Sequence, residues 1–167
     1  DAGAAVAVTK YGDRYVTGSF SSTASFGGKS LTSAGGADIF LAKYATGGRL
    51  LWLIQAGGSG DDAASSLALD PAGNAYVTGW FVGTASFGSA GGQSKTVVGS
   101  DETIFIAKYS PAGALIWLHT GAGTFAVVRE APRSEYQTAQ RLAQIFLTHG
   151  GDARVLEQPL GLEQTAH

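Results

Sequence analysis

The chain of 167 residues contains no cysteine and no methionine, and only 14% of its residues are charged. Without cysteine it can form neither a disulfide nor a thiolate metal site. The net charge of −2 leaves no basic stripe to neutralise phosphates, so nucleic acid is not expected as a partner. No apolar run approaches the roughly 20 residues that a membrane helix needs. Because the sequence has no methionine and no signal-peptide pattern, we expect a processed product or a fragment.

Glycine is abundant instead, and the sequence repeats itself. RYVTGSFSSTASFG at 14–27 returns as AYVTGWFVGTASFG at 75–88, an offset of 61 residues. DIFLAKYATGGRLLWL at 38–53 returns as TIFIAKYSPAGALIWL at 103–118, an offset of 65 residues. The length difference falls between Gly27 and Ala37, in a stretch rich in glycine and serine, which we therefore predict to be a loop.

Each copy contains four segments typical of strands, separated by turn sequences such as DPAGN and SPAG. Short turns between successive strands predict an antiparallel meander. Several strands are apolar on both faces, which indicates that both faces of the sheet are covered. Repeated meanders of this kind are typical of β-propeller blades. The predicted strands are Ala4–Thr9, Tyr15–Phe20, Ile39–Tyr44, Leu50–Ile54, Ser65–Asp70, Tyr76–Phe81, Ile104–Tyr109 and Leu115–His119.

The run LALDPAGNAYVTGWFVGTASFG at 67–88, followed by IFIAKYSPAGALIW at 104–117, resembles the bacterial SBBP-type β-propeller repeat and, more loosely, NHL-type blades. The resemblance covers residues 1–123 and implies blades of a secreted or cell-surface bacterial protein. We therefore predict a mostly β fold, with blade 1 at 1–61 and blade 2 at 62–123. Because a closed ring typically needs about four to eight blades, this is an incomplete propeller. A homo-oligomer or further blades in a longer chain are expected.

Residues 124–167 have no counterpart in the repeats. Thr124–Ala131 is predicted to be a strand, Ser134 caps a helix that ends before Gly150, and Ala153–Gln158 is predicted to be a second strand. This β-α-β appendage weakly resembles the opening unit of Rossmann-like lobes that precede ATP-grasp domains. It is therefore a capping or docking appendage, sequence foreign to the propeller family, or part of an enzyme.

Residues that recur in both copies at one position are expected to build the blade. Trp52 and Trp117 are predicted to pack between blades, and Lys43 and Lys108 to extend their charged heads into solvent. Both expectations assign structural roles. If an array of two blades leaves an apolar sheet face uncovered at each end, the isolated chain should self-associate.

Few residues of the sequence are candidates for a metal-binding or catalytic site. Asp61 and Asp62 in GGSGDD are weak candidates for calcium ligands, because the cluster lacks the alternating aspartates of a dedicated calcium loop. A role in forming the turn is therefore the favoured interpretation. His119, His149 and His167 are not spaced as metal ligands. We predict no cofactor and no catalytic residue.

Trp80 is the one candidate for ligand binding, because it stands where the first copy has Ser19. The strand alternation places it on the same face as Tyr76 and Thr78, beside the loop at 88–101. It is either a packing residue or an aromatic platform for a sugar or a protein side chain. The expected function is a noncatalytic module acting in binding, adhesion or as a spacer. The alternative is part of an enzyme with an ATP-grasp-associated lobe.

Overall fold

A computed structural model describes residues 1–122 of the chain, and the regular structure there consists of antiparallel strands. All eight predicted strands are present, and each is longer than predicted. The appendage predicted at 124–167 lies outside the described residues. The strands are β1 (Ala2–Val8), β2 (Arg14–Phe26), β3 (Lys29–Tyr44), β4 (Leu50–Gly58), β5 (Asp62–Leu69), β6 (Ala75–Gly88), β7 (Ser94–Tyr109) and β8 (Leu115–Ala122).

The strands form two four-stranded meanders. β1 to β4 pair in chain order and make the first meander, and β5 to β8 do the same and make the second. β4 also pairs with β6, with Ala56 opposite Phe87 and Gly58 opposite Ala85. Because of this extra pairing, the two meanders join into one curled antiparallel sheet.

The stretch after Gly27 is not the loop that its composition predicted. β2 and β3 continue past the predicted strand ends as a hairpin that turns at Gly27 and Gly28. The hydroxyl groups of Thr23 and Thr32 lie opposite each other and share a hydrogen bond of 3.0 Å. In the second meander the same hairpin ends in a longer turn at 89–93. The insertion therefore sits mainly at the tip of a hairpin, where added length does not disturb the strand pairing.

The main core lies between the two meanders. We call front face the side of each meander that carries Tyr15, Leu41 and Trp52, or their matches Tyr76, Ile106 and Trp117. The back face is the opposite side. The front face of the first meander packs against the back face of the second, and the buried side chains at this contact include Tyr15, Leu41, Trp52, Ile54, Leu67, Val77, Phe81, Phe87, Phe105 and Tyr109.

A smaller cluster occupies the back face of the first meander. Phe26, from the extended hairpin, lies with its ring centroid 6.0 Å from that of Phe20 and 4.7 Å from that of Phe40. The second meander repeats this arrangement: Phe87 lies 6.0 Å from Phe81 and 4.8 Å from Phe105. The hairpin extension therefore supplies one aromatic ring to the back face of each meander.

The matched apolar positions of the two repeats predict that Val16, Phe20, Phe40, Trp52 and their second-copy partners are buried, and most of them are. The prediction is confirmed for Phe20, Phe40, Trp52, Val77, Phe81 and Phe105. It is wrong for Val16 and Trp117, which are only half-buried. Val16 lies on the back face of the first meander, which has no second meander against it, whereas its match Val77 lies in the main core.

Candidate interaction surface

Three side chains with polar tips stand in a row on the front face of the first meander. Tyr15, Lys43 and Trp52 come from β2, β3 and β4, and the register of these strands places them side by side. The Tyr15 and Trp52 rings meet edge to face at 5.5 Å, and Lys43 Nζ lies 5.1 Å from the centroid of the Tyr15 ring. We call these three residues the front triad.

The front triad binds backbone carbonyls in two turns of the second meander. The Tyr15 hydroxyl donates a hydrogen bond of 3.0 Å to the carbonyl oxygen of Gly73. Trp52 Nε1 and Lys43 Nζ both donate to the carbonyl of Pro111, at 3.1 Å and 3.3 Å. Burial raises the pKa of Tyr15, although Lys43 acts in the opposite direction, so the hydroxyl stays a protonated donor at neutral pH.

The prediction that the lysine heads extend into solvent is wrong for Lys108, whose side chain is only 11% exposed and pairs with Asp70. It is wrong in the same way for Lys43. Its side chain is only 11% exposed, and Nζ forms an ion pair of 3.3 Å with Asp13 as well as the bond to Pro111. Burying an unpaired ammonium group would be costly, and these two contacts offset that cost. Lys43 therefore belongs to the contact between the meanders.

The second of these turns is shaped for the tryptophan. Gly113 has a φ of +83°, a conformation that favours glycine, and a Cβ there would lie 3.1 Å from the Trp52 ring and 2.6 Å from the Cβ of Ala90. The turn SPAG thus combines a glycine that lets the indole approach with a carbonyl that accepts its hydrogen bond.

The second meander repeats the front triad. The Tyr76 and Trp117 rings meet at 5.9 Å, and Lys108 Nζ lies 4.9 Å from the Tyr76 centroid. Asp70 receives both a hydrogen bond of 3.3 Å from the Tyr76 hydroxyl and an ion pair of 3.7 Å from Lys108. Each meander therefore carries the same three side chains on its front face.

The back faces of the two meanders differ sharply in exposure. Val6 and Val8 of the first meander are 64% and 59% exposed, whereas the matching Leu67 and Leu69 of the second are 6% and 7% exposed. The same contrast holds for half-buried Val16, Phe26, Tyr44 and Leu53 against buried Val77, Phe87, Tyr109 and Leu118. Because the positions match, the difference arises from the meander that covers one face and not the other.

At the other end of the sheet, the expected uncovered face is not observed. Tyr76, Ile104 and Ile106 on the front face of the second meander are all buried. The expectation of an open apolar face at each end is therefore wrong for this end, and it holds for the back face of the first meander.

Trp80 lies in β6, between Ala63 and Ile104 in the register, and is half-buried. The pairing places it on the front face with Tyr76 and Thr78, as the alternation predicted. The predicted loop at 88–101 is mainly the start of β7, with the turn at 89–93. Ligand binding by Trp80 stays a prediction.

Asp61 and Asp62 lie where β4 passes into β5. Asp61 is exposed and accepts a hydrogen bond of 2.9 Å from the backbone N–H of Ala37. Asp62 is fully buried and accepts bonds of 2.8 Å and 3.1 Å from the N–H groups of Gly58 and Val82. These bonds fix the turn between the meanders. Calcium binding by the two aspartates stays a prediction, and residues 1–122 contain no group of three or more acidic or histidine side chains placed to hold a metal.

Asp38 was not singled out from the sequence, yet it is fully buried beside this turn. Its Oδ2 accepts hydrogen bonds of 2.6 Å from Gln55 Nε2 and 3.1 Å from the N–H of Ala34. Its Oδ1 has no hydrogen-bond partner within the described part of the chain. The one signal in the sequence is that the second copy has Thr103 at the matching position. Of the histidines, His119 is exposed, and the other two lie outside the described residues.

Residues 51–80 match the model of the SBBP family, which is described as a beta-propeller repeat. The matched segment runs along β4 and β5 to Trp80 in β6, and so it spans the point where the two meanders join. Residues 51–80 therefore carry an SBBP-type repeat. No curated protein was found to be similar in sequence. In the part that the structure describes, no helix is long and apolar enough to cross a membrane.

Proposed function

We propose that this protein is a noncatalytic β-propeller module of a secreted or cell-surface bacterial protein, which acts in binding or as a structural spacer. The observation that carries the proposal is the exposed back face of the first meander. That face has the same apolar pattern as the covered back face of the second meander, and Val6 and Val8 on it are mostly in water.

The partner that fits this face is the front face of a further repeat of the same type. Inside the chain, a front face already covers a back face, and aliphatic side chains such as Leu67 become buried there. The front triad fixes the relative orientation of the two faces, because its three donors bind turn carbonyls at one edge of the contact. Burying apolar area drives such an association, and hydrogen bonds fix its register.

Binding to molecules other than repeats would use the surface that remains. Trp80 is half-buried on the front face of the second meander, and a tryptophan gives a large contact area at low cost in conformational entropy. A sugar ring or an aromatic or aliphatic side chain of a partner protein would suit it. The polar side chains of the front triad serve contact rather than chemistry, which supports a noncatalytic role.

The experiment adds a repeat and measures protection of the exposed face. A second copy of residues 1–61 is placed ahead of Asp1, which matches Asp62 in the repeat, so that the added segment joins in register. The chain has no cysteine, so Val6→Cys introduces a single thiol whose labelling rate by a thiol reagent can be followed. We expect this rate to fall about tenfold in the extended chain, as the exposures of 64% at Val6 and 6% at Leu67 suggest.

Two matched variants complete the design. Val98→Cys, at a position that is 79% exposed in the second meander, should be labelled at the same rate in both chains. Leu67→Cys should be labelled slowly in both. If Val6→Cys reacts equally fast with and without the added repeat, the back face does not receive a repeat and the proposal is wrong.

A further inference from the structure

The end of β2 has a neighbouring strand on one side only, within residues 1–122. β3 pairs with β2 as far as Phe26, whereas β1 pairs with it only from Arg14 to Ser19. An unpaired strand edge presents N–H and C=O groups that another strand can bind. Residues 23–26 include neither proline nor a charged side chain, which commonly block such an edge. This edge is therefore open to a further strand.

The second repeat contains the same four residues with this edge occupied. TASF recurs at 84–87, and β4 of the first meander pairs with its last three residues. Phe87 is fully buried there and Ser86 is half-buried, whereas Phe26 is half-buried and Ser25 is exposed. Since the residues are identical, the difference comes from the neighbouring elements, and the strand on this edge is one of them.

Asp1 makes half of the contact that Asp62 makes to both meanders. Asp62 accepts a bond of 3.1 Å from the N–H of Val82 in its own meander, and one of 2.8 Å from the N–H of Gly58 at the end of β4. At the matching position, Asp1 Oδ1 accepts a bond of 3.2 Å from the N–H of Ser21, the match of Val82. Within the described residues, nothing stands at the edge of β2 as Gly58 stands at the edge of β6. The other oxygen of Asp1 is thus placed for a donor of that kind.

A strand that fits this edge must carry glycine at one position. Gly58 lies opposite Ala85, and a Cβ there would overlap the carbonyl oxygen of Thr84. That oxygen belongs to the backbone of β6, so it cannot move aside without disturbing the pairing of β6 with β7. Thr23 matches Thr84, and the same restriction therefore applies to a strand residue opposite Ala24.

The end of β8 from a second copy of the chain fits less well than the end of a β4-type strand. β8 carries Ala122 at the position of Gly57, and a Cβ at Gly57 would lie 2.7 Å from Asp62 Oδ2. The side chain of Ala122 would meet Asp1 in the same way. The front face that accompanies β8 is also covered already, because Tyr76 on it is buried. The glycine pair of β4 is what suits the edge.

We propose that the edge of β2 at 23–26, together with Asp1, binds the end of a β4-type strand from a preceding repeat, whose glycine lies opposite Ala24 and donates its N–H to Asp1. This inference rests on the proposed function, since the repeat that supplies the strand is the one whose front face covers the back face of the first meander. Backbone pairing stabilises the contact, and the glycine and the aspartate make it selective for a repeat of this type.

Amide hydrogen exchange, followed by NMR in the chain extended by a second copy of residues 1–61, tests the pairing. The amide groups at 24–26 that point away from β3 should exchange at least about tenfold more slowly in the extended chain than in the unextended one. The matching amide groups at 85–87 already have a strand beside them and should be protected in both chains.

Three variants test the selectivity. Gly58→Ala in the added copy alone should abolish the protection at 24–26, because its Cβ would meet the carbonyl of Thr23. Gly47→Ala in the added copy is the matched control and should keep the protection, since a Cβ at Gly47 has no atom within 4 Å. Asp1→Ala should weaken the protection in the extended chain and leave exchange at 24–26 unchanged in the unextended chain.

Two results would overturn the inference. Exchange at 24–26 could be equally fast in both chains while Val6→Cys is shielded from labelling, in which case a repeat covers the back face without pairing at the edge and the proposed function stands alone. Alternatively, Gly58→Ala in the added copy could leave the protection complete. If Val6→Cys also reacts equally fast in both chains, both proposals are wrong. The extended chain without any substitution decides the pairing even if the Gly58→Ala variant does not fold.

Discussion

The two repeats place identical phenylalanines in matched positions, and only one of the two is covered by another meander. Phe87 in the second meander is fully buried, whereas its match Phe26 in the first is half-buried. Both lie against two further phenylalanines at nearly the same distances. Replacing each by alanine therefore compares the same change with and without the covering meander.

We expect Phe87→Ala to lower the free energy of unfolding by about 3–5 kcal/mol, the range for deleting a fully buried phenylalanine. Phe26→Ala should cost about 1–2 kcal/mol, because part of its ring is already in water and its loss leaves no closed cavity. The difference, about 2–3 kcal/mol, is the contribution of the covering meander at this position.

Urea denaturation at low protein concentration measures both losses, because the midpoint shift multiplied by the m-value gives the change in free energy. The m-values of the two variants should match that of the unaltered chain. Equal losses for Phe26→Ala and Phe87→Ala would refute the reasoning, since they would mean that the back face of the first meander is covered as fully as that of the second. Repeating the Phe26→Ala measurement at high concentration would then show whether a second copy provides the cover.

Two further predictions concern the tryptophans. Trp52→Phe removes the Nε1 donor to Pro111 and part of the packing on the turn, and should lower the free energy of unfolding in urea by about 1–2 kcal/mol; the half-buried Trp117→Phe should cost less, and a larger loss there would contradict the role given to the front triad. Trp80→Ser installs the residue that the first repeat already has, and should leave the melting temperature nearly unchanged while glycan-array or partner binding is lost. A loss of several kcal/mol would show instead that Trp80 is a core residue.

The strand order was predictable because it depends on local patterns that occur twice. The alternation in YVTGSF and YVTGWF and the turn residues of DPAGN and SPAG each act over a few residues, so the meanders follow from the sequence. A strand or turn predicted in one copy is also supported by the same pattern in the other copy. The hairpin extension from Thr23 onward was missed because serine, threonine and glycine are as typical of loops as of an exposed strand.

The join between the meanders was not predictable in the same way. Pairing of Ala56 with Phe87 depends on two segments that are far apart in the chain, and no local pattern specifies it. The predicted position of the Lys43 side chain was wrong for a related reason. A lysine in a strand usually extends to solvent, and only the arrival of the Pro111 carbonyl and of Asp13 makes a buried head favourable.

Part of the candidate site could be predicted from the sequence. The turn role of Asp62 was one of the two interpretations of GGSGDD, and its bond from Gly58 N–H agrees with that role. The role of Asp38 could not be predicted from the sequence. Its buried oxygen without a hydrogen bond arises because three segments of the chain meet at Gly57. A single aspartate before an apolar strand gives no indication of such a contact.

The repeats also show that a residue can differ between the two copies while its structural role is kept. In the first repeat, the Thr9 hydroxyl caps the turn by accepting a bond of 3.1 Å from the N–H of Asp13, and Asp13 pairs with the triad lysine. In the second repeat, Asp70, at the position of Thr9, accepts the turn bond of 2.8 Å from Asn74 and pairs with the lysine as well.

Both positions differ between the repeats, yet the cap and the ion pair are kept, because one carboxylate has moved from one end of the turn to the other. Asp38 shows no such exchange. Thr103, at its matching position, bonds the carbonyl of Asp101 at 3.3 Å instead. A difference that another residue compensates indicates shared architecture, whereas an uncompensated one indicates a role specific to a single repeat. By this criterion Asp38 is a stronger candidate for a role specific to one repeat than the residues of the altered turns are.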